Sequence, residues 1–225
     1  QPIPPSATSR LTPPATITPG AYPYYKKAED YYYDGKHQLA IDEFTKAIRL
    51  DPNYIMSYWF RGNAYHSLGQ YEQAIQDFDK GIRLDPNDSW AYNDRGRSYD
   101  NLGQHQRAIQ DYDKAIQLDP DDASAYYNRG IAYDELGQYP RAISDLDQAI
   151  KLNPQDPDAY INRGLAYSNL DQYEKSIKDY DEAIRLNPQY TEAYYNRMSS
   201  YSKLGKPNKA DADKKKACEL DSKYC

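Results

Sequence analysis

A period of 34 residues runs through most of this 225-residue chain. Prolines mark it most plainly, because five of them stand at this spacing: Pro52, Pro86, Pro120, Pro154 and Pro188. A fixed period of this length is the signature of small supersecondary units stacked in a row, and a single closed core does not produce it. The repeat therefore constrains the fold more than any other feature of the chain.

Other residue types keep the same register. Four glycines each follow an arginine, at Arg61 and Gly62, Arg95 and Gly96, Arg129 and Gly130, and Arg163 and Gly164. One column consists of tyrosines, namely Tyr31, Tyr65, Tyr99, Tyr133, Tyr167 and Tyr201. Another consists of small residues, namely Ala40, Ala74, Ala108, Ala142, Ser176 and Ala210. Since each column has one chemical character, the same packing is expected in every repeat.

Each repeat contains the pattern of two amphipathic helices. In the fourth repeat, apolar or small residues recur at helical spacing in two groups, Tyr126, Gly130 and Tyr133, then Ala142, Leu146, Ala149 and Ile150. Gly137 lies between the groups and suits the left-handed turn that ends a helix. Asp171 replaces it in the fifth repeat, and Asp tolerates that conformation better than most residues. Pro154 then ends the second helix.

These landmarks resemble the tetratricopeptide repeat, in which W-x2-L-G-x2-Y is followed by A-x3-F and then by Pro at 34-residue spacing. The resemblance covers about residues 21–221, with Tyr where the family often has Trp and Arg where it often has Leu. It implies an all-α fold, a right-handed superhelical solenoid of six helix-turn-helix repeats. The predicted repeats span about 21–54, 55–88, 89–122, 123–156, 157–190 and 191–225.

The arginines have acidic counterparts. Sixteen residues after each repeated basic residue comes an acid. In the first repeat Lys replaces Arg and Glu replaces Asp, so both partners change together. The six couples are Lys27/Glu43, Arg61/Asp77, Arg95/Asp111, Arg129/Asp145, Arg163/Asp179 and Arg197/Asp213. In an antiparallel helix pair these positions lie near the same level, so we interpret them as one structural ion pair per repeat. The alternative is a ligand-binding role for the arginines.

The two ends of the chain differ from the repeats. Residues 1–20 contain six prolines with Ser and Thr, which predicts an extended or disordered linker or tether. In the last repeat Asp211, Lys214 and Cys218 replace apolar or aromatic residues, as the polar outer side of a terminal cap requires. Cys218 and Cys225 are predicted to be free thiols, with a bridge through a folded-back tail as the alternative.

The resemblance also implies a concave groove, lined at the second, fifth, sixth, ninth and twelfth places of each repeat. Asn128, Asn162 and Asn196 occupy the sixth place of repeats four to six, with Tyr127 and Tyr195 at fifth places. This row resembles the asparagine ladder of the O-linked N-acetylglucosamine transferase repeats. An amide both donates and accepts, so it can bind a peptide backbone without reading side chains. The alternative is a row of hydrated asparagines without a ligand.

Aromatic and apolar residues hold the corresponding places of the earlier repeats: Tyr22, Tyr25, Met56, Trp59, Phe60 and Trp90. They predict an anchor site for partner side chains. The alternative is that they pack between repeats or under the N-terminal segment. Asn63 is also assigned to the groove, and it alone matches the residues with which chaperone-binding members hold a terminal carboxylate. A co-chaperone role is therefore not favoured.

Composition excludes several classes of function. The net charge is −6, which argues against a phosphate-binding surface and a nucleic-acid partner. No apolar run reaches the length of about 18 residues that a transmembrane helix needs. The sequence shows no nucleophile paired with a base, no phosphate loop and no metal-ligand cluster. We therefore predict no catalytic residue, no metal site and no cofactor.

A non-catalytic scaffold that binds an extended peptide or a partner helix is the function that the sequence favours. The alternatives are the regulatory or substrate-binding part of a larger enzyme, such as a glycosyltransferase, and a self-assembling solenoid whose N-terminal arm lies in a neighbour's groove. The Pro, Ser and Thr residues that follow Gln1 favour an exported or lipid-anchored bacterial envelope protein over a cytoplasmic one. A start within a longer protein is the other interpretation.

Overall fold

A computed structural model describes residues 16–225 and contains twelve α-helices, a C-terminal 3-10 turn (Ser222–Tyr224) and no strand in that range. The predicted all-α class is confirmed. In chain order the helices are α1 (Tyr22–Tyr33), α2 (His37–Leu50), α3 (Ile55–Ser67), α4 (Tyr71–Leu84), α5 (Ser89–Asn101), α6 (His105–Leu118), α7 (Ala123–Glu135), α8 (Tyr139–Leu152), α9 (Pro157–Asn169), α10 (Tyr173–Leu186), α11 (Thr191–Lys203) and α12 (Pro207–Leu220).

The helices form two compact units, one ending at Asp119 and one running from Pro120 to Cys225. The first unit holds α1–α6 and the second holds α7–α12. Within each unit the two helices of a repeat pack on each other, and the second helix also packs on the first helix of the next repeat. A repeat has two apolar faces that it cannot bury alone, and this stacking covers them.

The turn inside each repeat depends on a left-handed residue. Gly137 has φ of +68° after α7, where the N–H of Gln138 donates to the carbonyl of Tyr133 at 2.8 Å. This bond satisfies a carbonyl at the helix end. Asp171 takes the equivalent conformation, with φ of +58°, and is the only non-glycine residue with positive φ in the described range. The expectation for Asp171 is therefore confirmed.

A second glycine column lets the two helices of a repeat come close. A Cβ added to Gly164 would lie 2.6 Å from the Tyr180 ring, and one added to Gly62 would lie 2.8 Å from Phe78. Carbon atoms pack at about 3.5–4.0 Å, so a side chain at either position would displace a buried ring. At Gly62, Gly96 and Gly164 the aromatic residue of the facing helix thus requires the glycine that follows the arginine.

All six basic/acidic couples are in contact in the structure. Arg163 shows the geometry: Nε and Nη2 donate to the two carboxylate oxygens of Asp179 at 2.9 and 2.6 Å. Nη1 donates in the other direction, to Asp147 of the preceding repeat, at 2.7 Å. One guanidinium therefore connects three helices, and the sequence pattern revealed only the first of its two partners.

The acids of these couples are buried more deeply than their sequence positions indicated. Asp145 is 6% exposed, and Nε and Nη2 of Arg129 donate to its two carboxylate oxygens, each at 2.7 Å. Its carboxylate faces the interior between α7 and α8, where a ligand cannot reach it. Asp145 is therefore a core residue whose carboxylate serves the ion pair within the repeat. The equivalent acids are buried to the same degree, namely Asp77, Asp111, Asp179 and Asp213.

Tyrosine rings flank the guanidinium groups. The Arg197 guanidinium carbon lies 5.6 Å from the ring centroid of Tyr194 and 5.8 Å from that of Tyr201. Residues three before and four after an arginine share its side of the helix, which explains the recurring tyrosine columns. Cation–π attraction compensates part of the hydration that a partly buried guanidinium loses.

The packed part of the chain begins earlier than the sequence indicated. Residues 16–20 fall within the predicted linker, yet Ile17 packs against the hydrophobic core of the first unit. The Thr18 N–H donates to the Asp51 carboxylate at 2.8 Å. A linker reaching residue 20 is therefore wrong at its C-terminal edge, because the Pro-rich composition hid one apolar anchor. The rest of that prediction, residues 1–15, lies outside the described residues.

The last helix has the polar surface expected of an end. Asp211 and Lys214 are exposed on α12, and Cys218 is half-buried. The buried positions of this helix are limited to Ala210, Asp213 and Ala217.

We predict that the arginine pairs are strongly coupled in stability. Arg163→Leu and Asp179→Ala should each lower the free energy of unfolding by about 3 kcal/mol, because each leaves a buried charge without its partner. The double variant should lose about 1–3 kcal/mol less than the sum of the two. Chemical denaturation of the four proteins measures this coupling.

The exposed pair between Arg185 and Glu182 supplies the matched control, since it also has an Arg–carboxylate contact at 2.6 Å. The same double-mutant cycle applied to Arg185 and Glu182 should give a coupling energy of about 0.5 kcal/mol or less, as solvent-exposed pairs do. Equal coupling in the two cycles would show that burial does not govern the repeated pairs.

Candidate functional site

A pocket of about 490 Å³ opens in the second compact unit. Its wall is built by α7, α9 and α11, which are first helices of their repeats, by the residue that precedes α11, and by the C-terminal turn. The lining residues are Tyr127, Asp158, Ile161, Asn162, Leu165, Tyr190, Glu192, Tyr195, Asn196 and Tyr224. The volume is within the range of about 300–1,000 Å³ that ligand pockets occupy.

Four predicted groove residues meet in this pocket: Tyr127, Asn162, Tyr195 and Asn196. The two asparagines come from α9 and α11, at identical places of successive repeats. Asn128 is half-buried on α7 and does not belong to the lining. The pocket thus holds two of the three asparagines of the predicted row.

The Asn162 amide has a defined orientation. Its Nδ2 donates to the backbone carbonyl of Asp158 and to the hydroxyl of Tyr127, both at 2.9 Å. A backbone carbonyl only accepts, so the nitrogen must be the atom that faces it. Both N–H groups are then engaged, and Oδ1 is the atom left to accept a hydrogen bond from a ligand.

Two tyrosine hydroxyls in the pocket are held in the protonated form. Burial raises the pKa of Tyr127, and the nearby Asp158 and Asp156 carboxylates raise it further. Burial also raises the pKa of Tyr190, whose hydroxyl donates to Asp158 Oδ1. Because Tyr127 accepts from Asn162, its own O–H remains available to donate.

Asn196 and Glu192 carry polar groups that can bind a ligand directly. Neither side chain has a hydrogen-bond partner or ion pair among residues 16–225. Asn196 is half-buried and Glu192 is exposed, so both are reachable from the pocket. Asn196 therefore offers a complete donor and acceptor pair, as the sequence interpretation required of a peptide-binding amide.

The C-terminal turn is fastened to the unit by a disulfide. Cys218 and Cys225 are bridged, with Cα atoms 4.7 Å apart, and the prediction of two free thiols is wrong. The 3-10 turn at Ser222–Tyr224 reverses the chain after α12, which brings Cys225 back beside Cys218. The bridge also holds Tyr224 against Tyr195, with ring centroids 5.0 Å apart.

Several lining residues were not identified from the sequence, although a signal for most of them was present. Asp158 and Glu192 stand at the second place of repeats five and six, which the resemblance already assigned to the groove. Tyr190 and Tyr224 both stand at the thirty-fourth place of their repeats. That place lies outside the groove positions of the family pattern, so only the structure brings these tyrosines into the site.

The predicted aromatic anchor of the earlier repeats is wrong for three of its members. Tyr25, Trp59 and Phe60 are 7%, 4% and 1% exposed and belong to the core of the first unit. Phe60 stacks on Phe44 with ring centroids 5.6 Å apart and an interplanar angle of 13°. The stacking of the first two repeats buries these three side chains, as the packing alternative proposed. Trp90 is half-buried.

Asn63 is also buried, at 3% exposure, and the prediction that it lines the groove is wrong. Its Nδ2 donates to the Trp59 carbonyl and to Asp94 Oδ2, each at 3.1 Å. The adjacent repeat supplies Asp94, so the amide serves the packing of α3 on α5. A buried polar group needs such partners.

Residues 16–225 contain no group of His, Cys, Asp and Glu side chains that could hold a metal ion. None of their helices has the length and apolar character needed to cross a membrane.

Comparisons with solved structures find the same architecture. A crystal structure of MamA shares 31% sequence identity over 72% of this chain and 95% of that chain, with a TM-score of 0.67. YrrB, described as a TPR protein with an unusual peptide-binding site, shares 24% identity over 80% and 92% of the two chains, with a TM-score of 0.65. PilW, described as a type IV pilus biogenesis factor, shares 17% identity over 92% and 96%, with a TM-score of 0.83.

No curated protein matches the chain significantly in sequence. Family models described as TPR repeat match residues 28–69 and 62–103, and models described as tetratricopeptide repeat match 97–161, 157–190 and 191–224. The matches thus run almost without interruption from the first repeat to the last, and the repeats have the expected helix pairs. The chain belongs to the tetratricopeptide repeat family.

Proposed function

We propose that this protein is a non-catalytic interaction scaffold and that the pocket of its second unit binds an extended segment of a partner protein. The observation that carries the proposal is the pair Asn162 and Asn196, whose remaining hydrogen-bonding atoms lie in one pocket. A peptide main chain supplies both N–H and C=O groups at regular intervals, which such amides can bind.

The spacing of the two amides fits an extended chain. First helices of neighbouring repeats pack about 8–10 Å apart, and an extended peptide advances about 3.3 Å per residue. Asn162 and Asn196 would therefore contact residues about three apart in the partner. Ile161 and Leu165 add apolar surface to the lining, as is common in ligand pockets.

One solved neighbour is consistent with this use of the fold. YrrB is described as having a peptide-binding site, and it has the same architecture at 24% identity. The argument for this chain rests on its own pocket, because identity at that level shows the fold alone.

We also propose that the protein works in an oxidising compartment, in line with the expectation of export. The disulfide between Cys218 and Cys225 supports this, since structural disulfides are rare in proteins of reducing compartments. Alkylation of the thiols at the moment of cell lysis tests it: recovery of both cysteines in the alkylated form would contradict the proposal.

We predict that the two asparagines contribute to peptide affinity more than to folding. Peptides selected from a random library on the intact chain should bind Asn162→Ala and Asn196→Ala more weakly by about 1 kcal/mol each, the usual contribution of one hydrogen bond. Calorimetric titration measures the affinities and thermal unfolding checks the fold.

Asn208→Ala is the matched control, because Asn208 is exposed on α12 and does not line the pocket. It should leave the affinity unchanged. If the selected peptides bind the double variant as tightly as the original protein, the pocket is not their site. If no peptide is selected at all, the proposed function fails.

We predict that the disulfide tunes the pocket through Tyr224. Replacing both cysteines by serine frees the terminal turn, so Tyr224 must be ordered when a peptide binds. Ordering one side chain costs about 0.5–1.5 kcal/mol, which corresponds to an affinity loss of about two- to ten-fold. Adding Tyr224→Ala to the serine variant should cause little further loss, whereas full additivity would mean that the bridge does not act through this ring.

A further inference from the structure

The pocket has a consistent electrostatic character. Among its ten lining residues are two carboxylates, Asp158 and Glu192, and no Lys, Arg or His. Tyrosine is the commonest lining residue, at positions Tyr127, Tyr190, Tyr195 and Tyr224. A pocket with carboxylates and aromatic rings, and with no cation among its lining residues, complements a positively charged group.

The two carboxylates have unused capacity. Glu192 has no hydrogen-bond partner or ion pair among the described residues, and Asp158 receives the Tyr190 hydroxyl on Oδ1 while Oδ2 stays open. Both acids stand at the second position of their helices, α9 and α11. The partial positive charge of a helix N-terminus makes this a favourable position for an acidic side chain.

The tyrosine rings add a second kind of attraction for cations. Tyr195 is 45% exposed and contacts Tyr224 at a tilt of 50°, so ring surface remains accessible beside the carboxylates. The Lys223 ammonium already lies 4.7 Å from the Tyr224 ring centroid. This contact shows, within the same chain, that the ring accommodates a cation next to it.

The repeats themselves show which cation these groups suit. Arg197 lies between two tyrosine rings while a carboxylate, that of Asp213, receives its Nε and Nη2. A planar guanidinium can stack on rings and bind a carboxylate at the same time, which an ammonium cannot do equally well. The pocket presents the same two kinds of group to solvent, without an arginine.

We infer, on the basis of the proposed peptide-binding function, that the pocket takes a cationic side chain of the partner segment, an arginine in preference to a lysine. The partner backbone then meets Asn162 and Asn196, and its guanidinium reaches Glu192, the open oxygen of Asp158 and the rings of Tyr195 and Tyr224. The inference adds side-chain selectivity to an interaction that the asparagines alone would leave independent of sequence.

The test uses the full chain, labelled with nitrogen-15, and three short blocked peptides. The probes are acetyl-Gly-Arg-Gly-amide, its lysine counterpart and its citrulline counterpart, which has nearly the same shape as arginine without the charge. Titration followed by NMR should show the arginine peptide shifting the Asn196 side-chain and Tyr195 resonances. It should bind about ten-fold more tightly than the citrulline peptide, with lysine in between and with affinity falling as salt rises.

Two variants locate the effect. Glu192→Gln and Tyr195→Leu should each reduce the preference for arginine over citrulline by about three-fold or more, because each removes one attraction for the cation. Glu174→Gln is the matched control, since Glu174 is an exposed acid at the second position of α10 and lies outside the pocket. It should leave the preference unchanged.

The outcomes separate this inference from the function on which it rests. Equal binding of the arginine and citrulline peptides, or an arginine preference that survives Glu192→Gln and Tyr195→Leu, would overturn the inference. So would library peptides that depend on the two asparagines yet contain no basic residue, and in that case the scaffold function would stand. Failure of every library peptide to bind would overturn the proposed function itself.

Discussion

A guanidinium shared by three helices is the interaction on which the repeat depends. Taking an arginine and an aspartate out of water is unfavourable unless nearly every N–H and oxygen finds a partner. The Arg163 guanidinium donates two N–H groups to Asp179 and a third to Asp147. The helix carrying the arginine can then neither rotate nor slide against its neighbours without breaking a charged hydrogen bond.

The first repeat shows that the third contact matters. Lys27 replaces arginine there and contacts Glu43 at 3.1 Å, with its side chain 55% exposed. Among residues 16–225 no second helix precedes α1, so this repeat has no acid of a preceding helix to reach. The lysine ammonium, on a flexible side chain, can pair with one carboxylate in a solvent-exposed position. The internal repeats need the planar guanidinium of arginine, which donates to two partners at once.

This constraint also positions the pocket. Asn162 directly precedes Arg163, so fixing the arginine against the second helices turns the asparagine about 100° away from it around the helix. Asp158 and Leu165 lie four residues before and three after Asn162 and fall on the same stripe. The ion pairs thus set the rotation of α9, and the pocket lining follows from it.

The sequence was sufficient to predict contacts between fixed positions of one repeat. It was insufficient to predict burial and contacts that depend on the packing of neighbouring helices. Arg129 and Asp145 could be paired because both lie at fixed places of one repeat, but the depth at which Asp145 is buried follows from the packing of α7 on α8. Trp59 and Phe60 were misassigned because their burial depends on rings contributed by the first repeat. The disulfide depends on the conformation of one terminal turn, which a separation of seven residues does not specify.

The last position of the 34-residue period shows how a binding site can be added without changing the repeat fold. Asp156 stands there before α9, and its side chain accepts the Asp158 N–H at 3.0 Å as a helix cap. Tyr190 stands at the same place before α11, where no side-chain cap is formed. Losing such a cap costs about 1 kcal/mol, and the tyrosine instead forms a wall of the pocket. Tyr54 stands at the same place before α3, also without a side-chain cap, and packs against the core of the first unit. A tyrosine at this place therefore replaces a cap with an aromatic packing contact, and in the second unit that ring also lines the pocket.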